Sequence, residues 1–229
     1  MRKLALAGIA GMLIGGAAVA AAASSAVRAV GVSFSRDRLS AGSPRHPQGV
    51  KLTTALSWEG LTPGNAPTIN KIDLWFPTGT RYNGASYPSC SYARLNAAGP
   101  SACPKDSIMG SGVATAFADT VVTRPRITVV NGGSDRVYFY TVLNNPARVQ
   151  VPVIGQLTRL PGKFAYHLSA TIPPRLLVVA GVPIRFTALQ VSAGRGTWLA
   201  ITAPPSGIKI VTSFSDGTKI TGMVGVQNI

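Results

Sequence analysis

Acidic side chains are scarce in this chain: seven Asp and Glu stand against twenty-two Lys and Arg, a formal charge of +15 over 229 residues. Seven carboxylates leave little material for general acid–base chemistry. Asp106, Asp135 and Asp216 lie in turn sequences, where Asp commonly bonds its own backbone. Glycoside hydrolysis needs two carboxyl groups flanking one bond, and the best available pair is Glu59 with Asp73, if their strands are neighbours. Histidine is scarcer still. His46 lies in a proline-flanked loop and His167 inside an alternating strand. Neither has a second histidine at ligand spacing, so no metal centre is expected. There is no Gly-x-Ser-x-Gly elbow, since Gly110-Ser-Gly112 has the wrong spacing. A serine triad would have to draw on His167 with Asp135 or Asp119, which chain order neither requires nor forbids. Cys90 and Cys103 are too far apart for a Cys-x-x-Cys redox pair and have no histidine nearby for a zinc site. These absences point away from an enzyme, and no cofactor is expected.

Long apolar runs are also missing, with one exception at the start. Arg2 and Lys3 precede an apolar, Ala- and Gly-rich run from Leu4 to Val19, and Ala18-Val-Ala20 or Ala21-Ala-Ala23 offers small-residue cleavage sites. This is the layout of a secretory leader over residues 1–23, followed by one domain over residues 24–229. The next best apolar run, Leu176 to Val182, is too short to span a bilayer and is flanked by Arg175 and Arg185. The expected location is secreted or cell-surface. A basic exported chain should meet anionic partners, less strongly at high salt: an anionic wall polymer, a membrane surface or an acidic polysaccharide. The bland alternative is a basic surface with no specific partner. Nucleic acid is not expected.

What the chain does have is alternation. Val50, Leu52, Thr54, Leu56 and Trp58 share one face of a strand; Ile72, Leu74 and Phe76 oppose Lys71, Asp73 and Trp75; Phe164, Tyr166, Leu168, Ala170 and Ile172 oppose Ala165, His167, Ser169 and Thr171. Asn131-Gly-Gly133 between Ile127–Val130 and Val137–Leu143 reads as a hairpin, as does Asp216-Gly217 between Ile208–Phe214 and Lys219–Val224. Leu176 to Leu189 reads as a strand pair bent at Gly181-Val-Pro183, and Thr78 to Tyr87 as a polar loop. Roughly ten to twelve short strands with turns between them predict an all-β chain. A two-sheet antiparallel sandwich is the usual solution, with a jelly roll, an Ig-like sandwich or a partly open barrel as alternatives.

One stretch breaks the pattern. Between Cys90 and Cys103, the residues from Ser91 to Ala98 suit a short helix. Ser89 or Ser91 can cap it, and Gly99-Pro100 stops it. In an exported chain the two cysteines should be joined, giving roughly 3 kcal/mol by the chain-entropy estimate and pinning the helix to the sheet. Gly110 and Gly112 in the following strand suggest close approach of another backbone, with the helix as the expected neighbour.

The pattern Pro88-x-Cys90, then Gly99-Pro-x-x-Cys103-Pro104-x-x-Ser107-x-x-Gly110-x-Gly112-x-Ala114, resembles a motif of uncharacterised secreted proteins of actinobacteria. It spans about thirty residues. The resemblance implies an exported, disulfide-bonded β domain and no particular activity.

Two local candidates remain. Arg124 and Arg126 fall on one face if extended, and Arg136 follows across the hairpin. Together they are the candidate anion-binding patch, or else charges that guard an edge strand. Trp75, with Glu59 and Asp73, is the candidate for a sugar-binding or carbohydrate-active face, while Trp58 and Trp198 are expected in the core. The reading is a non-enzymatic exported β-sandwich that binds an anionic envelope or extracellular component, with the carbohydrate site as the alternative.

Overall fold

The computed structural model describes residues 28–37, 42–59, 61 and 67–228; the leader expected over residues 1–23 lies outside them. In chain order, β1 (Arg28–Arg36), β2 (Gln48–Gly49), β3 (Leu52–Glu59), β4 (Ile69–Pro77) and β5 (Thr80–Tyr82) precede a short helix, α1 (Tyr92–Ala98). Then come β6 (Ile108–Ala118), β7 (Val121–Thr123), β8 (Arg126–Asn131), β9 (Arg136–Leu143), β10 (Val149–Arg159) and β11 (Phe164–Thr171). A single helical turn, α2 (Pro174–Leu177), leads into β12 (Val178–Val179), β13 (Val182–Ala193), β14 (Leu199–Ile201), β15 (Ile208–Phe214), β16 (Lys219–Val224) and β17 (Val226–Asn228).

The chain is all-β with one disulfide-pinned helix, as expected. Its strands do not divide into the two sheets of a sandwich. One continuous sheet runs in the order β16-β15-β4-β11-β10-β9-β8-β6-β13-β3-β1-β17. The two ends of that order are consecutive strands joined through Gly225, and β17 pairs with β1 in parallel, Phe34 opposite Val226. The sheet therefore returns on itself as a nearly closed barrel. Register shifts in five of the strand pairings supply local bends, because an extra residue on one strand kinks it and increases its twist. Closure removes the open edges that a flat sheet of this size would expose.

The period-two pattern sets what faces in. Leu56, Ile69, Phe76, Val129, Leu157, Leu168, Ile210 and Phe214 form one buried core inside the wall. Polar residues of the same strands face out. This is the reverse of a membrane-spanning barrel, whose apolar residues face lipid and whose lumen is polar. No helix among the described residues is long and apolar enough to cross a membrane.

The two ends of the barrel are covered differently. At one end β2, β14 and β5 make a separate three-stranded sheet. Thr78 to Tyr87 is thus not a plain polar loop: Thr80–Tyr82 pairs with Leu199–Ile201, anchored by the edge-to-face contact of Tyr82 with Trp198, ring centroids 5.2 Å apart. At the other end the segment from β11 to β13 crosses the mouth. The expected strand pair is there, Val178–Val179 on Val182–Pro183, but Leu176 and Leu177 belong to a helical turn that Pro174 opens, since its fixed φ suits the first helical position.

Cys90 and Cys103 are bonded. Ser91 caps α1 by accepting from the Arg94 amide at 3.3 Å, and Gly99, at φ 72°, takes the left-handed turn that ends it. Leu95 is fully buried with Val130, Tyr138 and Tyr140, the outward side chains of β8 and β9. The helix is a lid on the outside of the barrel. It is not what approaches Gly110 and Gly112. A Cβ at either would run into the backbone of Ser192, Ala193 or Gln190 on β13, so the close neighbour is a strand.

Candidate functional site

The barrel is incompletely filled. A cavity of about 180 Å³ lies within the wall. Leu52, Thr54, Leu56 and Trp58 reach it from β3; Ile72, Leu74 and Phe76 from β4; Tyr166, Leu168 and Ala170 from β11. Small residues face in where bulky ones would fill the space: Ala114 of β6 and Ala193 of β13 also line it, and Gly155 of β10 abuts Phe139 and Leu168.

Almost nothing polar is directed into this space. The hydroxyl of Tyr82 donates toward the Gly133 carbonyl at 2.8 Å and also lies 3.0 Å from Asn131 Oδ1. Trp198 Nε1 donates to the same Asn131 Oδ1 at 3.1 Å. Thr141 Oγ1 is 3.2 Å from the Phe139 carbonyl of its own strand. Burial, the largest influence on Tyr82, pushes its phenol pKa well above the ordinary value, so it stays neutral. The lining contains no carboxylate, histidine, lysine or arginine. The lining is apolar and uncharged.

Asn131 organises the covered end. Its Nδ2 donates to the carbonyls of Gly84 (2.9 Å), Pro88 (3.0 Å) and Tyr87 (3.2 Å). Its Oδ1 accepts from Trp198 and the Gly133 amide. One fully buried side chain thereby ties the β8–β9 hairpin to the segment that leads into α1. At the opposite end Leu176 packs with Val151 and Val153 and lines the cavity as a plug.

The residues singled out from sequence fall outside this cavity. Glu59 ends β3, whose partners are β1 and β13; Asp73 is on β4, between β11 and β15. Their strands are not neighbours, so they make no carboxylate pair. Trp75 does face outward, but it is not an open platform. His167, opposite it on β11, stacks on the ring with centroids 4.5 Å apart and planes 14° from parallel. Lys209, opposite it on β15, places Nζ 4.7 Å from the ring centroid. Two cross-strand neighbours thus pack against the ring.

Asp73 accepts from His167 Nε2 at 2.8 Å and pairs with Lys71 Nζ at 3.1 Å. Burial works to raise its pKa, but hydrogen bonds from Lys71, Ser169 and His167 outweigh it and hold the carboxyl below its ordinary value. Ser169 bonds the carboxylate, not the imidazole, so the order is serine–aspartate–histidine and lacks the relay of a hydrolase triad. Asp119 and Asp135 lie away from His167: Asp119 at the β6–β7 turn, Asp135 beside Arg136 at 3.8 Å.

Arg124, Arg126 and Arg136 are all exposed but do not converge. Arg126 is opposite Val142 near one end of the β8–β9 hairpin, whereas Arg136 starts β9 at the other, beyond the Asn131–Val137 pair. Five strand residues, roughly 17 Å, separate those ends. Among the described residues no group of three His, Cys, Asp or Glu is placed to hold a metal. Comparison with family models, with curated proteins and with solved structures finds no match to the chain.

Proposed function

We propose that this chain is a non-enzymatic exported binding protein that carries a small apolar molecule inside its barrel. One observation carries the reading: an apolar cavity of about 180 Å³ within the barrel wall. A cavity of about 150 Å³ lined by Leu, Ile and Phe stays dry and takes up benzene, so this one suits a single ring or a short hydrocarbon chain. A purely structural barrel would gain stability by filling the space, since unfilled volume costs packing. Export is supported by the leader sequence and by a disulfide suited to an oxidising compartment. The excess of basic residues then meets anionic envelope components from outside.

A series of alkylbenzenes of increasing chain length tests the reading by calorimetry and thermal unfolding. Saturable one-to-one binding that rises with chain length and then cuts off is expected. Absence of binding across the series would remove the proposal.

A further inference from the structure

The barrel rim at the Leu176 end carries exposed apolar side chains and arginines together. Val121, Val122 and Val178 are 53 %, 52 % and 54 % exposed. The β6–β7 hairpin projects past the end of β9: Val121 pairs with Ala118, while β9 stops one residue beyond the Arg126–Val142 pair. Ala118 pairs in turn with Ile184, and Pro183 with Val178. Three strand spacings put Val121 and Val178 roughly 14 Å apart. Behind them Val179 packs with Ala118, Leu143, Ile184 and Ala147, so the β6–β7 tip, the β9–β10 turn and the capping segment form one rim. Arg124, Arg126, Arg148 and Arg175 are exposed around it, with Asp119 at the β6–β7 turn as the acid among them.

We propose that this rim docks on an anionic lipid bilayer. Exposed valines between arginines match the two layers of a membrane interface: apolar side chains enter the acyl boundary while guanidinium groups remain at the phosphates. A hydrophilic polyanion would engage the arginines and leave the valines in water. Docking in this orientation sets residues 173–182, whose Leu176 plugs the cavity, against the bilayer. That the bilayer is where the apolar ligand is exchanged rests on the cavity reading above.

Flotation of the protein with phosphatidylglycerol–phosphatidylcholine vesicles, against phosphatidylcholine alone, tests the docking. Binding to the anionic vesicles should fall with salt. Arg124→Gln with Arg126→Gln should weaken it roughly thirtyfold, and Val121→Asp with Val122→Asp at least tenfold. Met223→Asp, at a 55 % exposed apolar residue toward the other end, should leave it unchanged. Alkylbenzene binding, measured without vesicles, should persist in all three variants, so loss of docking and loss of the cavity reading register separately. Wild-type binding by the valine variant, equal binding to neutral vesicles, or arginine-dependent binding that soluble heparin abolishes while the valines have no effect would each overturn the bilayer assignment.

Discussion

Asn131 concentrates at one buried position the bonds that hold the covered end of the barrel together. Asn131→Ala leaves three backbone carbonyls and the indole of Trp198 without their partner. Each buried orphan costs about 1–3 kcal/mol, so a loss of at least about 3 kcal/mol is expected in urea unfolding. Asn131→Asp, nearly the same shape, should be no better, because an oxygen would then face the carbonyls of Gly84, Tyr87 and Pro88. From sequence this residue was legible only as the start of an Asn-Gly-Gly turn; its hub role depends on partners up to 67 positions away. Asp73 makes a second prediction. Its folded pKa lies below the ordinary 3.8, so its stabilising contribution is fully present above about pH 4 and is lost as pH falls through the folded value. Wild type should therefore lose stability relative to Asp73→Asn between pH 5 and pH 2, read from urea midpoints across that range. Parallel curves would show that the carboxylate is not better stabilised in the folded protein.

At the scale of elements, what is local was readable and what is relational was not. The short helix announced itself through a capping serine, a run of good helix formers and a Gly-Pro stop, all within ten residues of each other. The stapled loop should behave accordingly. Cys90→Ser with Cys103→Ser removes a cross-link spanning 13 residues, expected to cost about 3 kcal/mol. Leu95→Ala should cost about 2–5 kcal/mol by opening a void over Val130, Tyr138 and Tyr140. Both are measured as urea midpoints, and the first should match wild type under reducing conditions. Gly110 and Gly112 were correctly flagged as a close approach, but the sequence does not say which backbone approaches. Arg136 separates from Arg124 and Arg126 for a related reason. Residues at 126 and 136 look close along the chain, yet a hairpin puts its two strand starts at opposite ends.

Alternation and inward faces were legible at the scale of the whole molecule; closure was not, and the described residues form seventeen strands where roughly ten to twelve were expected. A sandwich and a barrel use the same period-two pattern; the unbroken strand order and the β17–β1 pairing, between the chain's last described strand and its first, distinguish them here. The cavity is a product of that closure. Its signal in the sequence was small residues at inward strand positions, Ala114 and Ala193, where a filled barrel would alternate small with large. If the space serves a ligand, filling it should trade binding for stability. Leu74 lies between Ile210 and Leu168 across the inner wall, so Leu74→Trp projects into the void. With wild type, an alkylbenzene at a hundred times its Kd should add about 2.7 kcal/mol, a Tm rise of about 5–10 °C for a domain of this size. With Leu74→Trp the rise should vanish while the unliganded Tm stays level or increases, because new contacts replace lost volume. If the rise survives intact, the ligand sits elsewhere. If the unliganded variant loses stability sharply, the interior is already filled to its limit, and the void is not open to a guest.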